Sequence, residues 1–386
     1  MGFEVRPSRR SAIAPFHVME VMKAAGRRQA AHGDVLHLEV GQPSTPAPAA
    51  VLAAAATVLE VDRLGYTDAL GLPALRSAIA SHYLRRGVEV DPEHVAVTAG
   101  ASGGFVLALL AALDAGARVG ITEPGYAAYR NIISALDLEL VGIPVDAASR
   151  WVPTPRLVEE AGRLDALVIA SPSNPTGTAL RRDELAALVQ VCEERRTVLI
   201  SDEIYHGISY DAPVVSALEV TRDAIVVQSF SKYFSMTGWR LGWLVVPPVL
   251  VSPLERLAQN LFISPPTLAQ LSAAAAFDAT AELDANVARY AESRRMLVAA
   301  LARWDLPHAP ADGAFYLWVD VSRCGIPSSE LCRRLLDETG VALTPGIDFD
   351  PARGEHHLRI SYSESPDDIA EAIERLEGWL TAHEPA

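Results

Sequence analysis

Residues 166–205 contain the pattern that decides the fold, and they read ALVIASPSNPTGTALRRDELAALVQVCEERRTVLISDEIY. Two short apolar runs, Ala166–Ala170 and Val198–Ser201, contain β-branched residues and predict buried strands. The segment between them, Arg182–Arg195, has the spacing of a helix. A strand, a helix and a second strand in this order predict two parallel strands joined by a helical crossover.

The same alternation extends to both sides of this unit. Five further strands are predicted, at Val95–Thr98, Arg118–Thr122, Glu139–Ile143, Ile225–Gln228 and Leu241–Val246. Helical patterns at Ser102–Leu113 and Gly125–Leu136 separate several of them. We therefore predict an α/β fold whose large domain, residues 45–275, contains a mostly parallel seven-stranded sheet covered by helices on both faces. The last strand follows its predecessor without a helix, which is compatible with an antiparallel direction.

After about residue 275 the pattern changes and predicts a smaller α+β domain, residues 276–386. Its predicted elements are a long helix (Ala281–Ala302), a strand (Ala314–Val321), a helix (Ser328–Thr339), two short strands (Val341–Thr344 and His357–Ser361) and a terminal helix (Pro366–Thr381). The N-terminal segment, residues 1–44, contains a predicted helix at Pro15–Arg28. We expect this segment to pack with the smaller domain.

The composition excludes several classes of protein. The chain has 386 residues, half of them hydrophobic, a net charge of −15 and a pI of about 5.1. An acidic surface disfavours nucleic acid and anionic membranes as partners. Apolar runs such as Phe105–Leu113 are too short to span a bilayer, and the N-terminal arginines are not followed by the apolar segment of a signal peptide. Three cysteines (Cys192, Cys324 and Cys332) form neither a disulfide framework nor a metal-ligand spacing. We expect a cytoplasmic protein without a metal site.

Lysine usage singles out one residue. Of 33 basic residues, two are lysines, Lys23 and Lys232. Arginine stays protonated, whereas lysine can lose its proton and act as an amine nucleophile. Lys23 lies in the predicted N-terminal helix beside Arg27 and Arg28, which is typical of a solvated face. Lys232 lies in a loop after a predicted strand, and this position favours a chemical role.

Polar loops follow three predicted strands. They read Ser171-Pro-Ser-Asn-Pro-Thr-Gly177, Ser201-Asp-Glu-Ile-Tyr205 and Ser229-Phe-Ser-Lys-Tyr233. In open α/β sheets, ligands bind outside the carboxyl ends of the strands. We therefore expect Asn174, Asp202, Tyr205 and Lys232 to face one crevice.

Each of these four residue types suits a carbonyl cofactor, most simply pyridoxal phosphate. The Lys232 amine can hold the aldehyde as a Schiff base and, once displaced, can move a proton to and from the substrate Cα. A buried carboxylate at Asp202 would hold a proton on the pyridine nitrogen, which makes the ring an electron sink. Asn174 and Tyr205 would donate hydrogen bonds to the ring oxygen.

A phosphate cradle is predicted nearby. The segment Thr98-Ala-Gly-Ala-Ser-Gly-Gly104 lies between a strand and a helix, so the backbone N–H groups of Ala101 and Ser102 suit an anion. Two serine hydroxyls, at Ser229 and Ser231, and the guanidinium of Arg240 offer further phosphate donors.

Each feature alone has an ordinary alternative. The segment around Gly100 could be a dinucleotide-binding turn, although it fails the G-x-G-x-x-G pattern. Asp202 could be a helix N-cap, Asn-Pro-Thr-Gly an ordinary turn, and Arg240 an ion-pair partner. The ordered combination around a nearly unique lysine favours the cofactor site.

These loops closely resemble those of the aspartate aminotransferase family, the class I/II, fold-type I enzymes dependent on pyridoxal phosphate. Further matches are Met236-Thr-Gly-Trp-Arg-Leu-Gly242, Leu38-Glu-Val-Gly-Gln-Pro43, Gly65-Tyr66 and His356-His-Leu-Arg-Ile-Ser361, so that the resemblance spans nearly the whole chain. It implies an aminotransferase (EC 2.6.1.-) that passes an amino group from an L-amino acid to a 2-oxo acid in ping-pong half-reactions.

The resemblance also implies individual roles. Lys232, Asp202 and Tyr205 would be catalytic, with Asn174 on the ring oxygen and Ala101, Ser102, Ser229, Ser231 and Arg240 around the phosphate. Tyr126 would stack on the ring, and Tyr66 would reach the phosphate of a neighbouring subunit, which implies a homodimer with shared active sites. Arg359, with Gly41 and Asn174, would bind the substrate carboxylate; the alternative for Arg359 is an ion pair with Glu355 or Glu364.

One departure from the family bears on the substrate. Some relatives specific for dicarboxylates carry an arginine in the loop before the Pro-Pro pair of the partner subunit, whereas here that stretch reads Gln259-Asn-Leu-Phe-Ile-Ser-Pro-Pro266 and contains no cation. We therefore expect neutral aromatic or aliphatic amino donors, in amino acid metabolism or biosynthesis. The alternatives are a C–S lyase or decarboxylase on the same cofactor, and a regulator built on an aminotransferase-like domain.

Overall fold

Twelve strands form three sheets in the computed structural model, which describes residues 4–211 and 213–383. In chain order they are β1 (Leu36–His37), β2 (Val95–Thr98), β3 (Arg118–Glu123), β4 (Glu139–Pro144), β5 (Ala166–Ala170), β6 (Val198–Asp202), β7 (Ile225–Ser229), β8 (Gly242–Val245), β9 (Tyr316–Asp320), β10 (Val341–Ala342), β11 (Thr344–Pro345) and β12 (His357–Ser361). Seven of them form the central sheet in the order β2-β8-β7-β6-β5-β3-β4, which confirms the predicted fold class.

The central sheet is parallel except at β8, which is antiparallel to both of its neighbours, β7 and β2. Strands β5, β6 and β7 are adjacent, and their register aligns their carboxyl ends. Ala170 lies opposite Asp202, and Asp202 lies opposite Val227. The polar loops that follow these strands therefore begin at the same edge of the sheet.

Within residues 4–211 and 213–383, twelve α-helices accompany the sheets. They are α1 (His17–His32), α2 (Ala49–Val61), α3 (Pro73–Arg85), α4 (Gly100–Ala112), α5 (Ala127–Ala135), α6 (Pro155–Glu160), α7 (Arg182–Arg195), α8 (Pro248–Leu261), α9 (Thr267–Ala273), α10 (Thr280–Arg303), α11 (Ser328–Thr339) and α12 (Pro366–Ala382). Alternate residues of one strand belong to different cores: Leu167 and Ile169 pack with α7, whereas Ala166 and Val168 pack with α4 and α5. Helices therefore cover both faces of the central sheet.

A third core lies beyond the central sheet. Strands β11, β12 and β9 form an antiparallel sheet that packs with α10, α11 and α12. Strand β1 pairs in parallel with β10, so the N-terminal segment contacts the C-terminal part of the chain. The domain boundaries at residues 45 and 276 stay predictions.

Several predicted bounds were inaccurate. The predicted strand Val341–Thr344 was wrong as one element, because β10 pairs with β1 while β11 pairs with β12, so that the chain passes between two sheets at Leu343. Helix α4 begins at Gly100, two residues before the predicted start, and α1 begins at His17 and continues to His32. Across residues 4–211 and 213–383, no helix is both long and apolar enough to cross a membrane.

Candidate active site

The carboxyl ends of β5, β6 and β7 open into a cavity of about 250 Å³. Twelve of the thirteen sequence-predicted site residues line it: Gly41, Ala101, Ser102, Tyr126, Asn174, Asp202, Tyr205, Ser229, Ser231, Lys232, Arg240 and Arg359. Tyr66 does not line this cavity; it lies on the surface, where 83% of its side chain area is exposed.

Lys232 lies in the tight loop that follows β7. The Ser229 hydroxyl donates to the Ser231 hydroxyl at 2.9 Å and accepts from the Ser231 amide at 3.0 Å, which turns the chain so that the lysine faces the cavity. The Lys232 Nζ donates to the Gly41 carbonyl at 2.5 Å. Burial, and then the guanidinium groups of Arg359 and Arg240, lower the pKa of this amine to about 8. A substantial fraction of the amine is therefore uncharged and nucleophilic near neutral pH.

Asp202 is the last residue of β6, and it is buried. Its Oδ1 accepts from the Ile204 amide at 3.1 Å, and its Oδ2 accepts from the Tyr129 hydroxyl. The N-cap alternative is wrong, because no helix follows Asp202; the carboxylate closes a turn instead. Burial raises the pKa of Asp202 to about 6, although both hydrogen bonds favour the charged form. Such a carboxyl suits a cationic ring nitrogen, which would replace the solvation lost on burial.

Arg359 is buried on β12 and reaches into the cavity from the second sheet. Its Nη1 donates to Asn174 Oδ1 at 3.0 Å, and its Nη2 donates to the Glu39 carbonyl at 2.5 Å. The Tyr316 ring lies 4.5 Å from its guanidinium carbon. Within the described part of the chain, the acceptors of Arg359 are Asn174, the Glu39 carbonyl and the Thr344 hydroxyl, and none is an acidic side chain, so the ion-pair alternative is wrong. Its buried Nε lacks an acceptor there. The guanidinium is thus a buried cation without an acidic partner among the described residues, and its charge favours the binding of an anion.

Glycines leave room for an anion at the other end of the cavity. Gly100 has φ +73°, and a Cβ atom at this position would lie 2.6 Å from Arg240 Nη2. A Cβ atom at Gly242 would lie 2.9 Å from the Ala101 amide nitrogen. The Arg240 Nη1 donates to the Thr237 carbonyl at 3.0 Å. Side chains at these two glycines would therefore crowd the guanidinium and the amide, two groups that a phosphate cradle requires to be accessible.

Two tyrosines of the site were not predicted from the sequence. Tyr129 donates to Asp202, and the Tyr316 hydroxyl lies 2.8 Å from that of Tyr205. Tyr129 lies on α5 three residues after Tyr126, the N-cap of this helix, and this spacing could have indicated its position beside Tyr126. A Cβ atom at Gly41 would lie 1.6 Å from the Tyr316 hydroxyl, so glycine is required there.

An apolar wall was also missed. The beginning of α1 lines the cavity with Phe16, Val18, Met19 and Met22. The Phe16 ring meets the Tyr126 ring edge to face, with centroids 5.9 Å apart. Amphipathic spacing predicted the helix, but nothing in its sequence indicated which part of the molecule it would cover.

Comparisons with known proteins agree with this geometry. Residues 33–376 match the model of the family described as aminotransferase class I and II. The valine–pyruvate aminotransferase of Mycobacterium tuberculosis is 50% identical over 382 residues, covering 97% of this chain and 98% of the relative.

Two solved structures are similar along nearly the whole chain. A crystal structure of an aminotransferase from M. tuberculosis has a TM-score of 0.96 and 49% identity, covering 98% of this chain and 100% of its own. The aspartate aminotransferase from Thermus thermophilus with maleate has a TM-score of 0.92 and 30% identity, covering 97% and 99%.

Proposed function

The chain belongs to the aminotransferase class I and II family, and from this premise we propose that its amino donor is a neutral aliphatic amino acid and its acceptor a small 2-oxo acid such as pyruvate. It is a transaminase that depends on pyridoxal phosphate and transfers an amino group from an amino acid to a 2-oxo acid. The valine–pyruvate activity in the name of the 50% identical relative supports the proposed donor and acceptor.

The polarity of the cavity carries this proposal. Among the described residues that line it, the cationic side chains are Lys232, Arg240 and Arg359, and the acidic one is Asp202. If Arg240 binds phosphate and Arg359 binds the α-carboxylate, no cation remains for a distal carboxylate. The apolar side chains at the beginning of α1 instead offer a surface for an aliphatic group.

The residues around the cofactor have the chemistry that their proposed roles need. When bound, pyridoxal phosphate supplies a carbonyl for Lys232 and a ring that accepts electrons from the substrate Cα. Asp202 would hold a proton on the ring nitrogen. Burial raises the pKa of Tyr205 well above its usual value, so its hydroxyl stays protonated and can donate to the ring oxygen together with Asn174. Tyr126 would pack on the ring face.

Donors on two strand-end loops would hold the phosphate. The Ala101 and Ser102 amides lie at the start of α4, where the helix dipole favours an anion, and Arg240 adds a bidentate cation. The hydroxyls of Ser229 and Ser231 complete this proposed set, because their loop faces the same cavity.

Arg359 and Lys232 would handle the substrate itself. The Arg359 guanidinium would bind the α-carboxylate, replacing part of its contact with Asn174, while Gly41 leaves space beside it. A fixed carboxylate orients the Cα–H bond, which lowers the entropic cost of proton transfer. Lys232 Nζ would then accept the proton from the substrate Cα and deliver it to C4′ of the cofactor. Its pKa near 8 suits this exchange at neutral pH.

We also propose a homodimer with shared active sites. Val61 and Val249 have 79% and 76% of their areas exposed, and Leu261 and Ile263 more than half, and contact with a second copy would remove these apolar residues from water. The Thr267 hydroxyl, close after this segment, donates to the Gly65 carbonyl beside the exposed Tyr66. Tyr66 would therefore reach the cavity of a second copy.

Subunit mixing tests the shared site. A Tyr66→Ala protein and a Lys232→Ala protein are each expected to be nearly inactive. In a mixed dimer, one site would regain both side chains, so activity should return to as much as half per hybrid. Absence of any recovery, with hybrids demonstrated by mass spectrometry, would contradict shared sites.

We propose a cytoplasmic location, with amino acids and 2-oxo acids as the partners and neither nucleic acid nor membrane among them. The net charge of −15 supports the exclusion of polyanions. A role in amino acid biosynthesis is compatible with a neutral donor and pyruvate.

A donor screen tests the proposed reaction. The holoenzyme is mixed with each of twenty amino acids, and conversion of the cofactor to its amine form is followed by absorbance. Valine and similar donors should convert it, and pyruvate should reverse the change. Faster conversion by aspartate than by valine would contradict the donor class. Release of ammonia or carbon dioxide would favour a lyase or decarboxylase, and Lys232→Ala should abolish turnover.

A further inference from the structure

Helix α1 is capped by a residue that lies more than 300 positions away in the chain. Its N-cap position is occupied by Phe16, which has no side-chain oxygen to accept from the first backbone amides. Instead, Asp348 Oδ1 accepts from the His17 amide at 3.0 Å, and Oδ2 accepts from the Val18 amide at 3.1 Å. Asp348 is buried. A carboxylate in this position satisfies two helix N–H groups and complements the positive end of the helix dipole.

Asp348 belongs to a loop, residues 346–354, that we call the bridging loop. The carbonyl of the next residue, Phe349, accepts from the Gly125 amide at 3.0 Å, immediately before Tyr126. The Phe349 ring lies 4.7 Å from the guanidinium carbon of Arg359. Two consecutive residues, Asp348 and Phe349, therefore contact the beginning of α1, the loop before Tyr126 and Arg359.

The bridging loop is itself firmly anchored to the central sheet. Arg353 donates from Nη2 to the Glu123 carbonyl at 2.6 Å and to the Val145 carbonyl at 3.2 Å. Its Nε donates to the buried carboxylate of Asp350 at 2.8 Å. Such a fixed loop can transmit a position accurately, because Arg353 links it to two carbonyls at the ends of β3 and β4.

We propose that Asp348 is a positioning residue for donor selectivity, because it holds the beginning of α1 at a fixed distance from Arg359. The inference rests on the proposed function, in which the donor carboxylate binds Arg359 and the donor side chain packs against α1. A donor with a branched side chain would contact Phe16 and Met19, whereas the methyl group of alanine would end short of them. Asp348 thus determines how well a long donor fits the cavity, although Asp348 itself does not contact the donor.

The test compares kcat and KM for valine and alanine in the holoenzymes of Asp348→Ala, Asp348→Asn and the parent chain. In Asp348→Ala the ratio of kcat/KM for valine to that for alanine should fall about 2- to 30-fold, the range expected for loss of a helix cap. The loss should reside in the KM for valine, because the missing contact is equal in ground and transition states. Asp348→Asn, which keeps one acceptor oxygen, should lie between the two.

Hydrogen exchange provides a second readout. The amides at the beginning of α1, residues 17–22, should exchange faster in both variants, while the cofactor absorbance stays unchanged. The matched control is Ser365→Ala, since the Ser365 hydroxyl caps α12 by accepting from the Asp368 amide at 3.1 Å and does not line the cavity. This variant should lose stability without altering the valine-to-alanine ratio.

Two failures can be told apart. If the parent enzyme prefers aspartate to valine, the proposed donor class is wrong. If the parent prefers valine but the valine-to-alanine ratio is unchanged in Asp348→Asn and Asp348→Ala, or if exchange at residues 17–22 is unchanged, the positioning role is wrong. Faster exchange at residues 17–22 together with a reduced valine-to-alanine ratio supports the positioning role. If Asp348→Ala folds poorly, Asp348→Asn still provides the test.

Discussion

The pKa of Lys232 yields a prediction that the two lysines of this chain make unusually easy to test. An ordinary exposed lysine has a pKa near 10.5, so about one amine in 3,000 is uncharged at pH 7. Burial and the guanidinium groups of Arg359 and Arg240 lower the pKa of Lys232 to about 8, which leaves about one in ten uncharged. The uncharged fraction at neutral pH should therefore be larger by about 300-fold.

Trace acetylation of the cofactor-free enzyme at a series of pH values measures this fraction directly. Mass spectrometry distinguishes the peptide containing Lys232 from that containing Lys23, which is exposed on α1 and serves as the reference amine in the same sample. Labelling of Lys232 should reach half of its plateau near pH 8. In Arg359→Met the midpoint should move to higher pH, because the variant lacks the neighbouring cation that lowers the pKa of Lys232 most.

The reasoning would be refuted by a midpoint near pH 10, or by a midpoint that Arg359→Met leaves in place or lowers. The pH profile rather than the absolute labelling rate decides, because partial burial slows the reagent at every pH equally.

Two further predictions concern the cofactor cradle and the buried acid. Gly100→Ala should weaken pyridoxal phosphate binding at least about tenfold, since its Cβ atom would lie 2.6 Å from Arg240 at a strained φ of +73°; equilibrium dialysis measures this. Gly87→Ala, with φ +79° and open space around it, carries the backbone strain alone and should bind normally. Tyr129→Phe should raise the pKa of Asp202 above its value of about 6, because the charged form loses a donor. The acidic limb of the pH–activity profile should then move to higher pH, and an unmoved limb would exclude this role for the hydroxyl.

Residues that directly follow a strand could be placed from the sequence. Asp202 ends β6 and Lys232 follows β7 by three residues, so that the parallel register alone brings them to one edge of the sheet. The local chain determines such positions, and the polar residue types indicated their chemistry. This reasoning needed no knowledge of the tertiary packing.

Residues that reach the site from distant parts of the chain could not be placed from the sequence in this way. Tyr316 lies on β9 in another sheet, and the beginning of α1 reaches the cavity because Asp348 holds it. Their positions depend on contacts between segments hundreds of residues apart, which periodicity does not encode. The split of the predicted strand at Val341–Thr344 has the same origin, since β10 and β11 have partners in different sheets.

The location of the apolar wall has a consequence for how such an enzyme can diversify. The reacting groups stand on loops continuous with buried strands, where substitutions disturb the packing of the whole molecule. Side chains such as Met19 and Met22 are exposed at one edge of α1, with 46% and 36% of their areas accessible, and little else depends on them. Substitutions there cost little stability, so new donor preferences can be sampled by neutral drift while the chemistry beneath stays unaltered. Directed evolution of altered selectivity would most profitably begin at this helix.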